Sequence, residues 1–259
     1  MLASRQALWH LLDASVKMFY RSADTVLFWV VSPLLFLGIF AMVQELSYGF
    51  EGSRATIDFF SFSAIGYGAF IAAHFAQDGV VGAAAGYRAS GVLKRIAVTP
   101  IAPATFIAAQ VMARLLTGVI ATLVILALGV ALGAEISYTA NLVWIVPLAA
   151  IAILTGVGFA FAIAGAMGTP EAANQLNIGI FTPIFLLNGA QYPLDGLAGG
   201  FADLAPYVIP FAAVIQTFRG VVAGSPITDF GPEVLAALGW LALVFWLAAR
   251  AYRFGEEGE

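Results

Sequence analysis

Between Asp24 and Glu45 the chain carries twenty consecutive residues, Thr25–Gln44, without a single charged side chain. A helix needs about 20 such residues to cross the roughly 30 Å hydrocarbon core of a bilayer, and the chain returns to this pattern repeatedly. Phe59–Gln77 is a second run, nineteen residues closed off by Asp58 and Asp78. Others cover about Ala104–Gly133, a stretch within Ile136–Met167, a stretch within about Ala172–Tyr192, and Pro232–Tyr252. Pro33 is expected to kink the first run, and Pro232 suits a helix start. Over the whole chain 10% of residues are charged and 61% hydrophobic, against about 25% charged in soluble domains. A soluble globular domain is excluded. The pattern predicts an all-α integral membrane protein, a single domain over residues 1–259, with six transmembrane helices.

Ahead of the first run, residues 1–22 read as an amphipathic helix lying in the membrane interface. Trp9, Leu12, Val16 and Phe19 recur at helical spacing on one face, with Arg5, Asp13, Lys17 and Arg21 on the other; such a helix lies on the bilayer rather than across it. Orientation follows from the basic residues beside the runs. With six spans, one side holds Arg5, Lys17, Arg21, Arg88, Lys94, Arg95, Arg250 and Arg253, and the other holds Arg54 and Arg219. That bias predicts both termini in the cytoplasm. Arg114, inside the third run, is expected to reach the headgroups or to pair within the bundle, since a charge at mid-membrane is costly.

Two stretches break the simple pattern. Residues 83–103, AAAGYRASGVLKRIAVTPIAP, form a basic island between apolar runs and are expected to face the cytoplasm. Residues 188–231 contain apolar pieces too short to span, interrupted by Pro193, Gly196, Gly199, Gly200, Pro206 and Pro210. Irregular backbone at membrane depth is viable only when packed on protein or lining a water-filled cavity. This segment is therefore expected to be a re-entrant hairpin or a pair of short helices on the outer side, serving as a gate or as a plug. In the fourth run Gly156, Ala160, Ala164 and Gly168 make a small-residue ridge for close helix packing.

Catalytic constellations are missing. Neither lysine, Lys17 or Lys94, sits in a phosphate-loop pattern, so ATP is not expected to bind this chain by that route. Cysteine is absent and the two histidines, His10 and His74, are far apart, which speaks against thiol chemistry and a metal site. His74 reads as an interface histidine. No basic patch with interleaved aromatics suggests nucleic acid. A bundle with a basic loop, a broken outer segment and no energy source of its own fits a transporter subunit driven by another protein.

Three sets of residues then resemble the membrane subunits of ABC exporters of the second type, the ABC-2 permeases, which include drug, polysaccharide and lipo-oligosaccharide exporters. The amphipathic helix is the first. The second is Gly91-Val92-Leu93-Lys94-Arg95 with Thr99-Pro100 and Pro103; the third is Leu187-Asn188-Gly189-Ala190-Gln191-Tyr192-Pro193-Leu194, followed by Pro206, Pro210 and Phe218-Arg219-Gly220. The chain departs from the family at Tyr87, Arg88 and Ala89, where acidic residues are usual, and at Asn188 and Ile209.

The resemblance implies two such subunits, as a homo- or heterodimer in membrane lipid, with separate ABC ATPase subunits that hold ATP and Mg. It places coupling to the ATPase at Arg88, Gly91, Leu93, Lys94, Arg95, Thr99 and Pro100. The alternative is that these charges only fix topology. A substrate path would run along Phe59, Phe62, Gly66 and Phe70, facing Asn174, Asn177, Phe181, Phe185 and Asn188, with an outer gate at Gly189, Tyr192 and Pro193. Lipid-facing phenylalanine is the plainer reading of the aromatics, of which the chain has 21. The expected function is export of an amphipathic substrate (drug, lipid or lipid-linked glycan) across the plasma (inner) membrane of a prokaryote. An ion-coupled secondary transporter is the alternative, and a membrane-embedded enzyme or a scaffold fits the residues less well.

Overall fold

The computed structural model describes residues 9–14, 16, 17, 23–46, 58–99, 103–194 and 200–252. Among these every regular element is helical. Residues 9–14, 16 and 17 are helical, with Leu12 buried, Trp9, Asp13 and Lys17 exposed, and Lys17 bonded to Asp13 at 2.6 Å; Arg5, Phe19 and Arg21 lie outside the described residues. The longer helices follow as α1 (Ala23–Leu46), α2 (Phe59–Ala89), α3 (Val92–Ala97), α4 (Pro103–Ala131), α5 (Ile145–Ala166) and α6 (Pro170–Leu187). After them come α7 (Phe201–Val208), α8 (Ala212–Val222) and α9 (Gly231–Ala251).

Each of the six apolar runs folds as a helix. Among the described residues four helical stretches are long and apolar enough to cross a membrane, Phe59–Ala89, Thr105–Ala131, Ala140–Ala166 and Ile227–Ala251. The pair α7–α8, bent by 109°, adds a fifth if it is counted as one span. α6 falls outside this set because Asn174, Gln175 and Asn177 dilute its first half. In α1 the apolar portion described is Val31–Val43.

α2 is the hub of the bundle. It touches α1, α4, α5, α6 and α8, and Tyr67, Phe70, Ala72 and Ala73 on it are fully buried. Asp58 starts it, accepting from Ser61 N at 2.9 Å and from Ser61 Oγ at 2.6 Å, a carboxylate cap on the free N–H groups of the first turn. The end differs from expectation. Instead of stopping at Gln77, the helix continues to Ala89, 31 residues in all and about 46 Å long. Nothing in AQDGVVGAAAGYRA breaks a helix, since it holds no proline and its three glycines stand singly, two of them beside alanine. Residues 83–89 of the basic island are thus the last turns of α2, and a turn at Ser90 and Gly91 leads into the short α3. Gly91 adopts φ +68° there, a conformation that glycine takes without strain.

Small residues set the packing of α5. A Cβ at Gly156 would lie 2.5 Å from Ala73 O, so α2 and α5 touch backbone to side. Ala160 and Ala164 continue that contact and are fully buried. Gly168 does not, because α5 ends at Ala166 and nothing lies within 4 Å of a Cβ there. The opposite face carries a second set: Gly158 meets Val244, and Gly165 meets the backbone of Ala251 and Tyr252, which seats α9 alongside.

The segment after α6 is a bent pair of short helices. Phe211, at the bend, has φ +72°, a value that costs energy for any non-glycine residue. Its ring is held by Phe70 at 5.5 Å, Phe181 at 5.8 Å and Phe159 at 6.1 Å. The loop before α5 ties the pair down further, through Ser137 N to Val222 O, Ser137 Oγ to Ala223 O and Asn141 Nδ2 to Gly224 O, each at 2.9 Å.

Candidate functional site

The chain crosses back and forth so that one end of the bundle carries Asp58, Gly133 and residues 188–194, and the other carries Ala89, α3 and the C-terminus of α5. The basic residues of the island sit at this second end. Arg88 is turned inward. Its Nη1 donates to Ala164 O and Gly165 O, both at 2.8 Å, two carbonyls of the last turn of α5 that have no partner within the helix. The guanidinium lies 5.7 Å from the centre of the Tyr252 ring. Tyr252 Oη in turn donates to Ala84 O at 3.1 Å. Arg88 therefore binds α2, α5 and the end of α9 together.

Arg95, by contrast, is exposed on α3. Thr99 is also exposed, with Oγ1 donating to Ile96 O at 2.7 Å. Leu93 and Lys94 belong to α3, but their side chains and Pro100 lie outside what is described. Arg114 on α4 reaches across to α2, donating from Nη2 to Gly79 O at 3.0 Å. A Cβ at Gly79 would stand 2.7 Å from the Arg114 guanidinium, so glycine makes the approach possible. The arginine within the third apolar run is thus paired within the bundle, level with Asp78.

The residues placed along a substrate path come together inside one chain. Phe70 stacks on Phe181 at 5.4 Å and lies 5.7 Å from Phe185; Phe70 and Phe181 are buried while Phe185 is half-buried. Phe70 and Phe181 are interior residues that fill the space between α2 and α6. Gly66 and Phe62 face Arg219 of α8, whose guanidinium carbon is 3.5 Å from the centre of the Phe62 ring. Phe59 opens α2, half-buried, without a ring contact among the described residues. Asn177 is buried and links Gln77, whose Nε2 donates to it at 2.6 Å, with Asp78, which accepts from it at 2.7 Å. His74 Nε2 is 3.5 Å from Asp78 Oδ2, with its ring 4.6 Å from Phe181. Asn174 packs against Gly82.

At the first end, Gly189 has φ +72° and Asn188 Oδ1 accepts from Ala190 N at 2.8 Å, which makes a tight turn out of α6. Tyr192 Oη donates to Leu186 O, folding the turn back on the helix. Pro193, Asn188 and Gly189 line a cavity of about 280 Å³ with Asp203, Gln216 and Arg219.

The sequence pattern of the ABC-2 type transporter family matches residues 6–223, most of the chain. The chain belongs to that family. It is also similar to Nodulation protein J of Rhizobium meliloti (strain 1021), 26% identical over 115 residues. That stretch is 42% of this chain and 44% of the relative, so the likeness spans less than half of either protein.

Family membership makes this a multi-pass membrane protein of a transport permease family. Reading the ABC-2 chain from its sequence missed Arg219 as more than a topological charge and a family position. The signal was available: Ala212–Val222 is otherwise uncharged, and a lone charge in an apolar helix marks a functional position by default. The Gln77–Asn177–Asp78 group was missed because it forms only when α2 and α6 pair, about a hundred residues apart in the chain.

Proposed function

We propose that this chain is the permease half of an ATP-driven exporter. It would move an amphipathic molecule (drug, lipid or lipid-linked glycan) out of the cytoplasm or the inner leaflet, with energy from a separate ATPase that carries ATP and Mg. The observation that carries this reading is the helical hairpin formed by α2, α3 and α4. On this reading about 20 residues of α2, counted from Asp58, span the hydrocarbon and reach Asp78. The remaining residues to Ala89 then project beyond it by about 16 Å. α4 runs antiparallel alongside, and the Arg114–Gly79 contact marks the same level on both helices.

A short helix with exposed Arg95, followed by the exposed Thr99, at the tip of such a projection suits docking on a soluble partner better than topology alone requires. On this reading residues 83–103 are cytoplasmic, as are both termini, residues 1–22 lie on the inner face and residues 188–231 re-enter from the outside. The interior aromatics of α2 and α6 become a path when these helices part within a dimer.

The test is co-purification from the native membrane in mild detergent, comparing the wild type with Arg95→Glu and Arg88→Gln. An ATPase should accompany the wild type and be lost with Arg95→Glu. Absence of any ATPase from the wild type defeats the reading. The polar group His74, Asp78, Asn177 and Gln77 favours a second reading, ion-coupled transport. In that case Asp78→Asn abolishes uptake driven by a pH gradient in liposomes, while under the exporter reading such a gradient drives no uptake at all.

A further inference from the structure

Arg219 sits at the wall of the cavity of about 280 Å³ between residues 188–194 and the bent pair α7–α8. Its Nε donates to Phe62 O at 3.0 Å and its Nη2 to Ala190 O at 2.6 Å. No carboxylate stands within ion-pair distance of it among the described residues. An arginine has five N–H donors and keeps its charge at neutral pH; the two carbonyls and the Phe62 ring, 3.5 Å from the guanidinium carbon, leave donors unspent and no opposite charge beside it. Gly66 is shaped to this seat: a Cβ there would lie 2.0 Å from Nη2 of Arg219.

A second, independent group points the same way. Asn188 lines the cavity and is 2% exposed, and its Nδ2 has no hydrogen-bond partner. Buried donors are normally paired. A cation and an orphaned amide donor on one cavity wall ask for an acceptor that carries negative charge. The surroundings select what bears it. Phe62, Pro193, Leu194 and Pro206 make the rest of the lining largely apolar. α7, which forms one wall, turns Leu204, Tyr207 and Val208 outward, each between 45% and 54% exposed.

We propose that this cavity binds the anionic headgroup of an amphipathic molecule, with Arg219 as the cation, Asn188 as the second donor and the outer face of α7 as the rest for its apolar tail. Asp203, exposed and also on the cavity wall, opposes this charge and limits affinity. The site needs no ATPase, so it is tested on the chain alone and its failure leaves the exporter reading untouched.

The experiment measures binding of dihexanoyl phosphatidic acid to the purified chain in a neutral maltoside detergent, with dihexanoyl phosphatidylcholine and inorganic phosphate as comparisons. Phosphatidic acid should bind saturably, more weakly as salt rises. Phosphatidylcholine should not compete, and phosphate should compete only at far higher concentration. Arg219→Gln should weaken binding by about thirtyfold or more, the usual scale for truncating one partner of a buried charge pair. Because Arg219 also holds two carbonyls, Asp203→Asn is the companion variant: it removes an exposed charge and should tighten binding.

Equal binding of phosphatidylcholine overturns the proposal, as does unchanged affinity in Asp203→Asn. Phosphate binding as tightly as phosphatidic acid overturns the amphipathic part of it. Mass spectrometry of the purified chain separates the two sources of such a ligand. An anionic phospholipid that co-purifies with wild type and is lost from Arg219→Gln assigns the site to membrane lipid; probe binding without co-purified lipid assigns it to a transported amphipath.

Discussion

A Cβ on Gly156 would lie 2.5 Å from the carbonyl oxygen of Ala73, a contact with backbone that no rotamer change can relieve. Gly156→Ala must therefore push α5 away from the most buried helix of the bundle. The expected loss is about 1–3 kcal/mol, the range for overpacking a well-filled interior, seen as a lower thermal unfolding midpoint in detergent. Gly168→Ala is the control, because nothing lies within 4 Å of the added methyl, and its midpoint should be that of the wild type. Equal effects of the two would remove the close helix approach as the reason for glycine at 156. The four-residue repeat of small residues made Gly156, Ala160 and Ala164 legible in the sequence. It wrongly extended to Gly168, since a periodic pattern carries no information about where the helix stops. Gly158 and Gly165 were not legible, as they stand off that repeat and their need for smallness comes from Val244 and Ala251, some 86 residues further along.

Among the elements, α2 shows most clearly where sequence and structure part. Its start was readable from Asp58 at the edge of an apolar run, and its continuation past Asp78 was not. A charge ends an apolar run without ending a helix, and the alanine-rich residues that follow favour helix with or without lipid. The role of Arg88 was hidden for the same reason, because its partners are the end carbonyls of α5, reachable only after α2 has kept its helical path. That arrangement separates two arginines that look alike in the sequence. Arg88→Gln should lower stability by about 1–3 kcal/mol, the scale of charge-assisted hydrogen bonds that are lost from a half-buried position. Arg95→Glu, on an exposed turn of α3, should leave the unfolding midpoint unchanged. If Arg95→Glu destabilises the isolated chain as much as Arg88→Gln does, α3 is packed rather than free for docking.

For the whole molecule the open question is where the bilayer cuts α2, and the chain is well suited to answer it because it contains no cysteine. Three exposed positions discriminate. Ser90 lies just past α2, Ala83 lies within its last two turns, and Tyr138, 80% exposed, lies in the loop at the opposite end. Each is replaced singly by cysteine and challenged with a membrane-impermeant maleimide, in inside-out vesicles and in right-side-out ones. If the hydrocarbon ends near Asp78, Ser90→Cys and Ala83→Cys both react in inside-out vesicles alone, and Tyr138→Cys reacts in right-side-out vesicles alone. Ala83 carries the decision. A helix of about 46 Å has some 16 Å to dispose of beyond a hydrocarbon core of about 30 Å. It can project this excess to one side, or tilt and keep all of it in lipid. Tilting would bury Ala83 in hydrocarbon and leave its cysteine unreactive from both sides, while Ser90→Cys still reacted. Projection exposes both, and with them the arm on which α3 is carried. Reaction of Ser90→Cys in right-side-out vesicles alone would invert the orientation drawn from the basic residues and set the hairpin on the wrong side of the membrane for any cytoplasmic ATPase.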